Sequence, residues 1–487
     1  MAFSHARQPR AARVLFDGHR AGLAKPPAFA HQVEKPERTM SVNLTDFIHR
    51  ARYQDLPEHV TTQARRCVLD LLGVAAGGTQ TQLSDIIRRH AVRHLSSRDL
   101  QSRILFDGRR TSMAGAALAG GMTIDSLDAH DGHVLTKGHA GVAVLPTVLA
   151  FADALQKMDG REFLTQIVIG YEIATRAGIA LHATASDYHT SGAWSTIACA
   201  ALGARNLQLD ARQTMEAMGI AEYHGPRSQM MRCIDYPTMV KDGSGWGAMT
   251  GISAALLAQD GFTGAPALTV QADAVAPTWA DVGQRWRILD QYFKAYPVCR
   301  WAQPAVEAAM SLAREHRFGP DDISGIEVWT FHQACRLATR APETTEQAQY
   351  SLPFSVASAL RHGRLGAAEV AHTGLADPLT LKLSSTMQLH EHGAYNDLFP
   401  AERWAHVRVS LRDGRQLDSV PSIARGNPEN PLSAEEIDLK FFGLSSDVLG
   451  PTRARQIVDL VGQLGVCDTA FAQLLELMLA PAAPVAN

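Results

Sequence analysis

The sequence predicts a mainly α protein: a large all-helical domain in two sequence segments, with a smaller α+β domain inserted between them. Three observations predict it. Apolar residues recur at helical spacing over most of 42–270. After about residue 287 they alternate instead, with turn signals between the runs. Helical spacing returns at Ser433 and persists to about 479. At 487 residues and 46% hydrophobic, the chain is long and apolar enough to fill more than one core.

Residues 1–40 carry Arg7, Arg10, Arg13 and Arg20 with little periodicity. They are expected to be a disordered extension, because the stretch from Met40 (MSVNLTDFIHRARYQDLP) reads like the start of a domain. The first helical segment is placed at 41–287. Its opening long helix shows the pattern: Asp55 can cap it, Pro57 suits the first turn, and Glu58 stands three after the cap. Val60, Ala64, Cys67, Val68, Leu71, Leu72 and Ala75 then share one face, and Gly77-Gly78 ends the run. Further helices are expected at 112–127, 141–158, 161–182, 191–205, 210–222 and 247–259. They are rich in Ala and Gly, and several are apolar nearly all round, which implies burial on more than one side.

The α+β domain is placed at 288–432. Ile326, Val328 and Thr330 alternate with Glu327, Trp329 and Phe331, a strand signal. Val407, Val409 and Leu411 form a second, and Asp413-Gly414 turns it into a short run at 416–420. Helices are expected between them at 350–362 and 366–383. Residues 433–487 return to the helical domain.

Composition narrows the function. A net charge of −3 and a pI near 6.7 give no global reason to expect nucleic acid or an anionic membrane as partner. No apolar run is long enough to span a bilayer. The six cysteines, Cys67, Cys199, Cys233, Cys299, Cys335 and Cys467, show no metal-like spacing. Free thiols in a cytoplasmic protein are expected, and an iron–sulfur hydratase is disfavoured.

Five clusters could carry chemistry. The first runs from Asp125 through Asp128, His130, Asp131, His133 and Lys137 to His139, between two apolar helices. A metal site fits these residue types, and so does a polar loop with solvated charges. The second is His189-Thr190-Ser191 at a helix start, which suits a carboxylate and is equally explained as capping. The third is Lys241-Asp242-Gly243-Ser244-Gly245. It lacks the GK[ST] ending and preceding strand of a phosphate loop, which leaves Lys241 as a donor to a carboxylate, as a base, or as a surface lysine. The fourth is Lys294-Ala-Tyr296-Pro297-Val-Cys299-Arg300 at the expected domain junction, where two cations could grip an acid or simply sit in a linker. The fifth is Gln349-Tyr350-Ser351, where Tyr350 is an acid/base candidate or an interface tyrosine.

Taken together and in this order, the clusters resemble the MmgE/PrpD family of 2-methylcitrate dehydratases, cis-aconitate decarboxylases and iminodisuccinate epimerases. Supporting stretches are LDLLGVAAGG (69–78), AVLPTVLAFADAL (143–155), GYEIATRAG (170–178), SAALLAQDGFTGAP (253–266) and QYSLPFSVA (349–357). The resemblance implies a homodimer, a smaller domain acting as a lid, and no cofactor. It places the catalytic set on Asp125, His139, His189, Lys241 and Tyr350, with Lys294 contacting a small di- or tricarboxylate. His130, Lys137, Ser191 and Arg300 join it as substrate-binding candidates from the local clusters; no metal is expected. On this reading Asp125 orients an imidazole, taken as His139, and holds it protonated.

The sequence also departs from the family pattern. H-P-G becomes His139-Ala140-Gly141, the D-F-D-D segment becomes Asp125-Ser-Leu-Asp128, and the stretch between them is longer, adding His133 and Lys137. Gln303 stands where a histidine is frequent. The implied chemistry starts from a carbanion beside a carboxylate. Dehydration is the leading expectation, with epimerisation and decarboxylation as alternatives. A silent carboxylate-binding homologue and a metal hydrolase built on Asp128, His130, His133 and His139 are the rivals from other classes.

Overall fold

The computed structural model describes residues 39–482. Of the extension expected at 1–40, residues 1–38 lie outside them, while Thr39 and Met40 belong to a helix, Thr39–Arg50. Helices dominate, and the sheets are small. The helix anticipated after Asp55 spans Glu58–Gly78, with Val60, Ala64, Cys67, Val68, Leu71, Leu72 and Ala75 fully buried. Asp55 does not cap it. Its carboxylate accepts instead from the Arg52 N–H at 2.9 Å within a short 3-10 turn, and Pro57 takes the capping position.

The next helices are Met113–Asp125, Gly141–Leu155, Gly160–Thr184, Gly192–Asn206, Ala211–His224 and Ser244–Gln259. Their small residues have a specific use. A Cβ on Gly121 would meet the Cα of Gly245 at 2.7 Å, and one on Gly192 would meet the carbonyl oxygen of Gly243 at 2.3 Å. Only glycine permits such backbone contact. The C-terminus of Met113–Asp125 and the N-termini of Gly192–Asn206 and Ser244–Gln259 therefore meet in one place.

The largest hydrophobic core joins early helices to late ones: Val60, Leu71, Val144, Ile167 and Trp194 pack in one cluster with Phe441, Ile457, Leu474 and Met478. The late helices are Ala434–Leu449, Pro451–Gln463 and Ala470–Leu479. Ser433 opens the first of them with a reciprocal cap: its hydroxyl accepts from Glu436 N–H at 3.1 Å while the Glu436 carboxylate accepts from Ser433 N–H at 2.8 Å.

A second core gathers Val298, Trp301, Val328, Phe331, Phe354, Val407 and Val409. Its sheet centres on Ile323–Thr330, which pairs in parallel with Gln388–Glu391 and antiparallel with Trp404–Leu411. The latter continues to Gln416–Asp418 and Ser422–Ile423. The single helix expected at 366–383 does not form. Two 3-10 turns, Ala368–Val370 and His372–Ala376, precede a helix at Pro378–Thr386. Asp377 forces the new start: its carboxylate accepts from Thr380 N–H at 2.7 Å and Pro378 fills the first turn. A two-residue strand at Gln291–Tyr292, not anticipated, pairs antiparallel with Gly132–His133. It carries Lys294 toward the Asp125–His139 segment.

Candidate active site

Asp125 is the last residue of its helix and fully buried. Its Oδ2 accepts from the Asp242 backbone N–H at 3.2 Å, across the glycine-mediated helix contact. Its Oδ1 faces His130 Nε2 at 3.4 Å. Asp128 Oδ1 accepts from Lys294 Nζ at 2.9 Å and lies 3.9 Å from the same His130 nitrogen. The His130 and His139 rings meet edge to face with centroids 4.2 Å apart. Lys241 Nζ donates to Gln349 Oε1 at 2.6 Å and sits 4.7 Å above the Tyr350 ring. Gln349 donates in turn to the Ser126 carbonyl at 3.0 Å. Six expected residues thus share one buried centre: Asp125, His130, His139, Lys241, Lys294 and Tyr350.

The backbone is strained here. Asp128, Lys137 and Lys241 have φ of +55°, +52° and +48°. Each costs a non-glycine residue about 1–2 kcal/mol. Bonds to Lys294, Leu135 and Gln349 hold them there, and strain of this kind concentrates where side chains must be aimed.

The protonation states correct one expectation. Asp125 approaches His130, not His139, and the surroundings of both imidazoles work against the protonated form. Burial first, then the charge of Lys294, pushes His130 well below its usual value. Burial, then His130 and Lys294, does the same to His139. The physical reason is that two lysines face these rings in a site sealed from water. His139 Nδ1 lies against the Asp131 carbonyl. A neutral ring that donates there leaves Nε2 with its lone pair exposed to the site, 3.9 Å from Asp242 Oδ2.

The carboxyls divide by environment. Burial opposes ionisation of Asp128, but Lys294 and Lys241 outweigh it and hold that carboxyl below the usual range. Lys294 is raised by Asp128 against its own desolvation. Asp125 and Asp242 go the other way: burial, together with repulsion between neighbouring carboxylates, raises both. Tyr350 is pushed well above its usual value by burial and by Asp128, so it keeps its proton. Asp125 Oδ1, Asp128 Oδ2 and His130 Nε2 are buried with no hydrogen-bond partner. Unsatisfied polar atoms clustered in this way leave bonds for a ligand to complete.

The other sequence candidates separate. Ser191 helps place the centre: its hydroxyl donates to Asp242 Oδ2 at 2.7 Å and accepts from His139 N–H at 2.9 Å. His189 is half-buried, with its Nδ1 at 2.9 Å from the Asp187 carbonyl and its ring stacked on His182 at 6.4 Å. Lys137 bonds the Leu135 carbonyl at 3.2 Å and lies 4.1 Å over the Tyr188 ring. Arg300 spends its donors on the fold, reaching Gln303 Oε1 at 2.9 Å and the Arg425 carbonyl at 2.8 Å. Gln303 is likewise structural, donating to the Tyr296 and Val298 carbonyls at 3.0 Å.

Asp128, His130 and His139 offer ligand atoms within 4.8 Å of one another. His133 is not among them, since its Nε2 faces Asp290 at 3.9 Å. The cation that meets Asp128 in this set is the Lys294 ammonium.

Sequence reasoning gave Asp242 and Asp131 no role of their own and missed Tyr171, Asp70 and Lys440. Asp242 was visible only as the neighbour of Lys241. Behind His139, Asp131 bonds the Tyr171 hydroxyl, and its carboxyl is pushed up to about 7 by burial and then by Asp70. Lys440, from the late helix Ala434–Leu449, bonds Asp70 at 2.5 Å and the Ala129 carbonyl at 2.6 Å. No local pattern marks a lysine more than 300 residues away.

Comparison with known proteins finds relatives along most of the chain. Residues 42–281 match the MmgE/PrpD N-terminal domain and residues 296–464 the MmgE/PrpD C-terminal domain. The chain is 23% identical to the cis-aconitate decarboxylase-like protein oryM of Aspergillus oryzae, over 88% of this chain and 94% of that one. It is 24% identical to human cis-aconitate decarboxylase, over 88% and 92% respectively, and 23% identical to the mouse protein, over 88% and 91%. The buried lysines, carboxyls and imidazoles thus sit in a chain matched along both halves, and the protein belongs to the MmgE/PrpD family.

Proposed function

We propose that the protein is a lyase that removes CO₂ from a small unsaturated tricarboxylic acid of the cis-aconitate type, using its own cations and protons. The observation that carries this reading is the pairing of two buried lysines with a proton-retaining group of carboxyls. In such a reaction the C–C bond to the departing carboxylate breaks, and its electron pair becomes a new C=C. The old double bond's pair moves onto the carbon beside a remaining carboxylate, and that carbon takes one proton. The step requires positive charge at the remaining carboxylate and a proton donor. Lys241 and Lys294 supply the first. The Asp125–Asp242 pair, next to His139, supplies the second. Tyr350 stays protonated as a hydrogen-bond donor.

The names of the relatives favour decarboxylation over the dehydration expected from sequence. Dehydration stands as the second reading, because a proton-bearing carboxyl pair can also protonate a departing hydroxyl. The reading includes the homodimer, and a lid formed by 288–432 that closes over the centre and strengthens its charge contacts.

The test is proton NMR in D₂O with cis-aconitate and citrate-like hydroxy acids, with and without chelator, on wild type, Lys241→Ala and Tyr350→Phe. Loss of CO₂ with one deuterium on the product carbon, insensitive to chelator and lost in the variants, is expected. A new alkene formed from a hydroxy acid would assign dehydration. Activity abolished by chelator would sink the metal-free mechanism.

A further inference from the structure

Two buried cations beside this centre have no anion. The stretch that exceeds the family pattern folds as a small hairpin, closed by a bond from His133 N–H to the Gly138 carbonyl at 2.9 Å. Lys137 sits on it, two residues before His139, 9% exposed, its ammonium donating to the Leu135 carbonyl and lying over the Tyr188 ring. Arg403, 8% exposed, precedes the strand Trp404–Leu411 and donates from Nη2 to the Val134 carbonyl at 3.0 Å. Its Nε is buried with no partner. The two cations thus hold the carbonyls of neighbouring residues, Val134 and Leu135. Among the described residues, neither has a carboxylate within 4.0 Å.

Other cations here have identified partners. Lys294 meets Asp128 at 2.9 Å, the nearly buried Lys440 meets Asp70 at 2.5 Å, Arg88 meets Asp107 at 3.3 Å and Arg176 meets Glu172 at 3.4 Å. Lys241 and Arg300 also lack a carboxylate within 4.0 Å among the described residues; Arg300 donates to Gln303 and to backbone carbonyls, and Lys241 donates to Gln349 in the reacting centre. Burying a charge without a counter-charge is costly. Two such charges, one on the hairpin and one bonded to it, point to an anion that arrives from outside. The place is adjacent to the chemistry: the Tyr292 ring lies 6.3 Å from the His139 ring and 5.9 Å from the Arg403 guanidinium. Arg403 and Val134 also line a cavity of about 340 Å³. The two acids there are engaged, Glu402 accepting from Trp404 Nε1 and Glu429 from Asn427 Nδ2, each at 2.7 Å.

We propose that Lys137 and Arg403 form a carboxylate subsite that binds the end of the substrate remote from the reacting carbon and selects tricarboxylates over dicarboxylates. This rests on the carboxylic-acid reading above, but not on which bond breaks. Binding is therefore tested with unreactive acids. Calorimetric titration of the full chain with tricarballylate and with methylsuccinate, which lacks one of its terminal carboxylates, should show the former bound at least about tenfold more tightly. Arg403→Met and Lys137→Met should each weaken tricarballylate by about tenfold or more while changing methylsuccinate by less than about twofold. Arg403→Lys should recover part of the loss. Thermal midpoints check that the hairpin survives, and if Arg403→Met misfolds, Lys137→Met decides alone. Equal weakening of both acids, an unchanged preference, or no preference in the wild type would overturn the subsite. Retained preference without turnover of cis-aconitate would instead overturn the decarboxylase reading and leave the subsite standing.

Discussion

Replacing Lys294 by methionine removes the partner of an almost fully buried carboxylate. Lys294 is 1% and Asp128 2% exposed, and their charged atoms are 2.9 Å apart. Breaking such a pair from one side costs about 3–5 kcal/mol, because the remaining charge is stranded away from water. At roughly 2 cal/mol/K per residue, 487 residues carry an unfolding entropy of about 1 kcal/mol/K, so the midpoint should fall by about 3–5 °C. The loss depends on pH with a definite sign. In the wild type, Lys294 and Lys241 hold Asp128 below its unfolded value despite burial. Its stabilising contribution is therefore present above about pH 4 and lost as pH falls through the lowered folded value. In Lys294→Met burial dominates, the folded value rises above the unfolded one, and the same carboxylate destabilises progressively as pH rises from about 4. The gap between the proteins should thus keep shrinking as pH falls below about 4 and be full by neutrality. Differential scanning calorimetry at a series of pH values reads it, and Lys294→Met/Asp128→Asn should regain most of the loss. A pH-independent gap, or a double variant no more stable than the single one, would refute the reasoning.

Three further outcomes follow from the site. If the Asp125–Asp242 pair stores the proton, activity should fall as pH rises through its raised value, and Asp242→Asn should lower kcat and erase that alkaline limb; a profile unchanged in shape would remove Asp242 from the proton path. A Cβ at Gly132 would lie 2.6 Å from both His139 Nδ1 and the Tyr292 hydroxyl. Gly132→Ala should therefore displace the imidazole and cut kcat on the order of 10²-fold, with a far smaller effect on thermal stability. Lys440→Met should strand Asp70 and free the Ala129 carbonyl, lowering stability by about 3–5 kcal/mol and speeding hydrogen exchange at 129–133; unchanged exchange there would show that the loop is held by other contacts.

Much of this was legible in the chain because it is periodic and local. Val60 to Ala75 read as a buried helical face, and Val407, Val409 and Leu411 as a buried strand face, because burial follows the geometry of each element. The 366–383 stretch was misread because helical spacing runs through it, while the Asp377-Pro378 start signal overrides that spacing in space. The chemistry was legible where residue types crowd together, from Asp125 to His139 and at Lys241. It was illegible where contacts span hundreds of residues. Nothing near Asp125 says that it faces His130, nothing near Arg403 says that it reaches Val134, and nothing near His189 says that its ring stacks on His182. Charge states were the least legible, since burial and Lys294, which only the folded arrangement supplies, push both imidazoles below their usual value.

The stretch from Asp128 to His139 is anchored along its length, with one outward tip. Lys294 holds Asp128, Lys440 holds Ala129, Tyr171 holds Asp131, and Ser191 holds His139. Between His133 and Gly138, Thr136 is fully buried, a Cβ on Gly138 would meet the Ser191 hydroxyl, and Arg403 holds the Val134 carbonyl, while the Leu135 side chain is 42% exposed. The hairpin is thus built as part of the wall behind His139, with its outward tip at Leu135. If Lys137 and Arg403 form the proposed subsite, recognition and reaction are carried by separate residues of one packed unit, so a change of acid would call for exchanging those two cations while the groups around His130 stay in place.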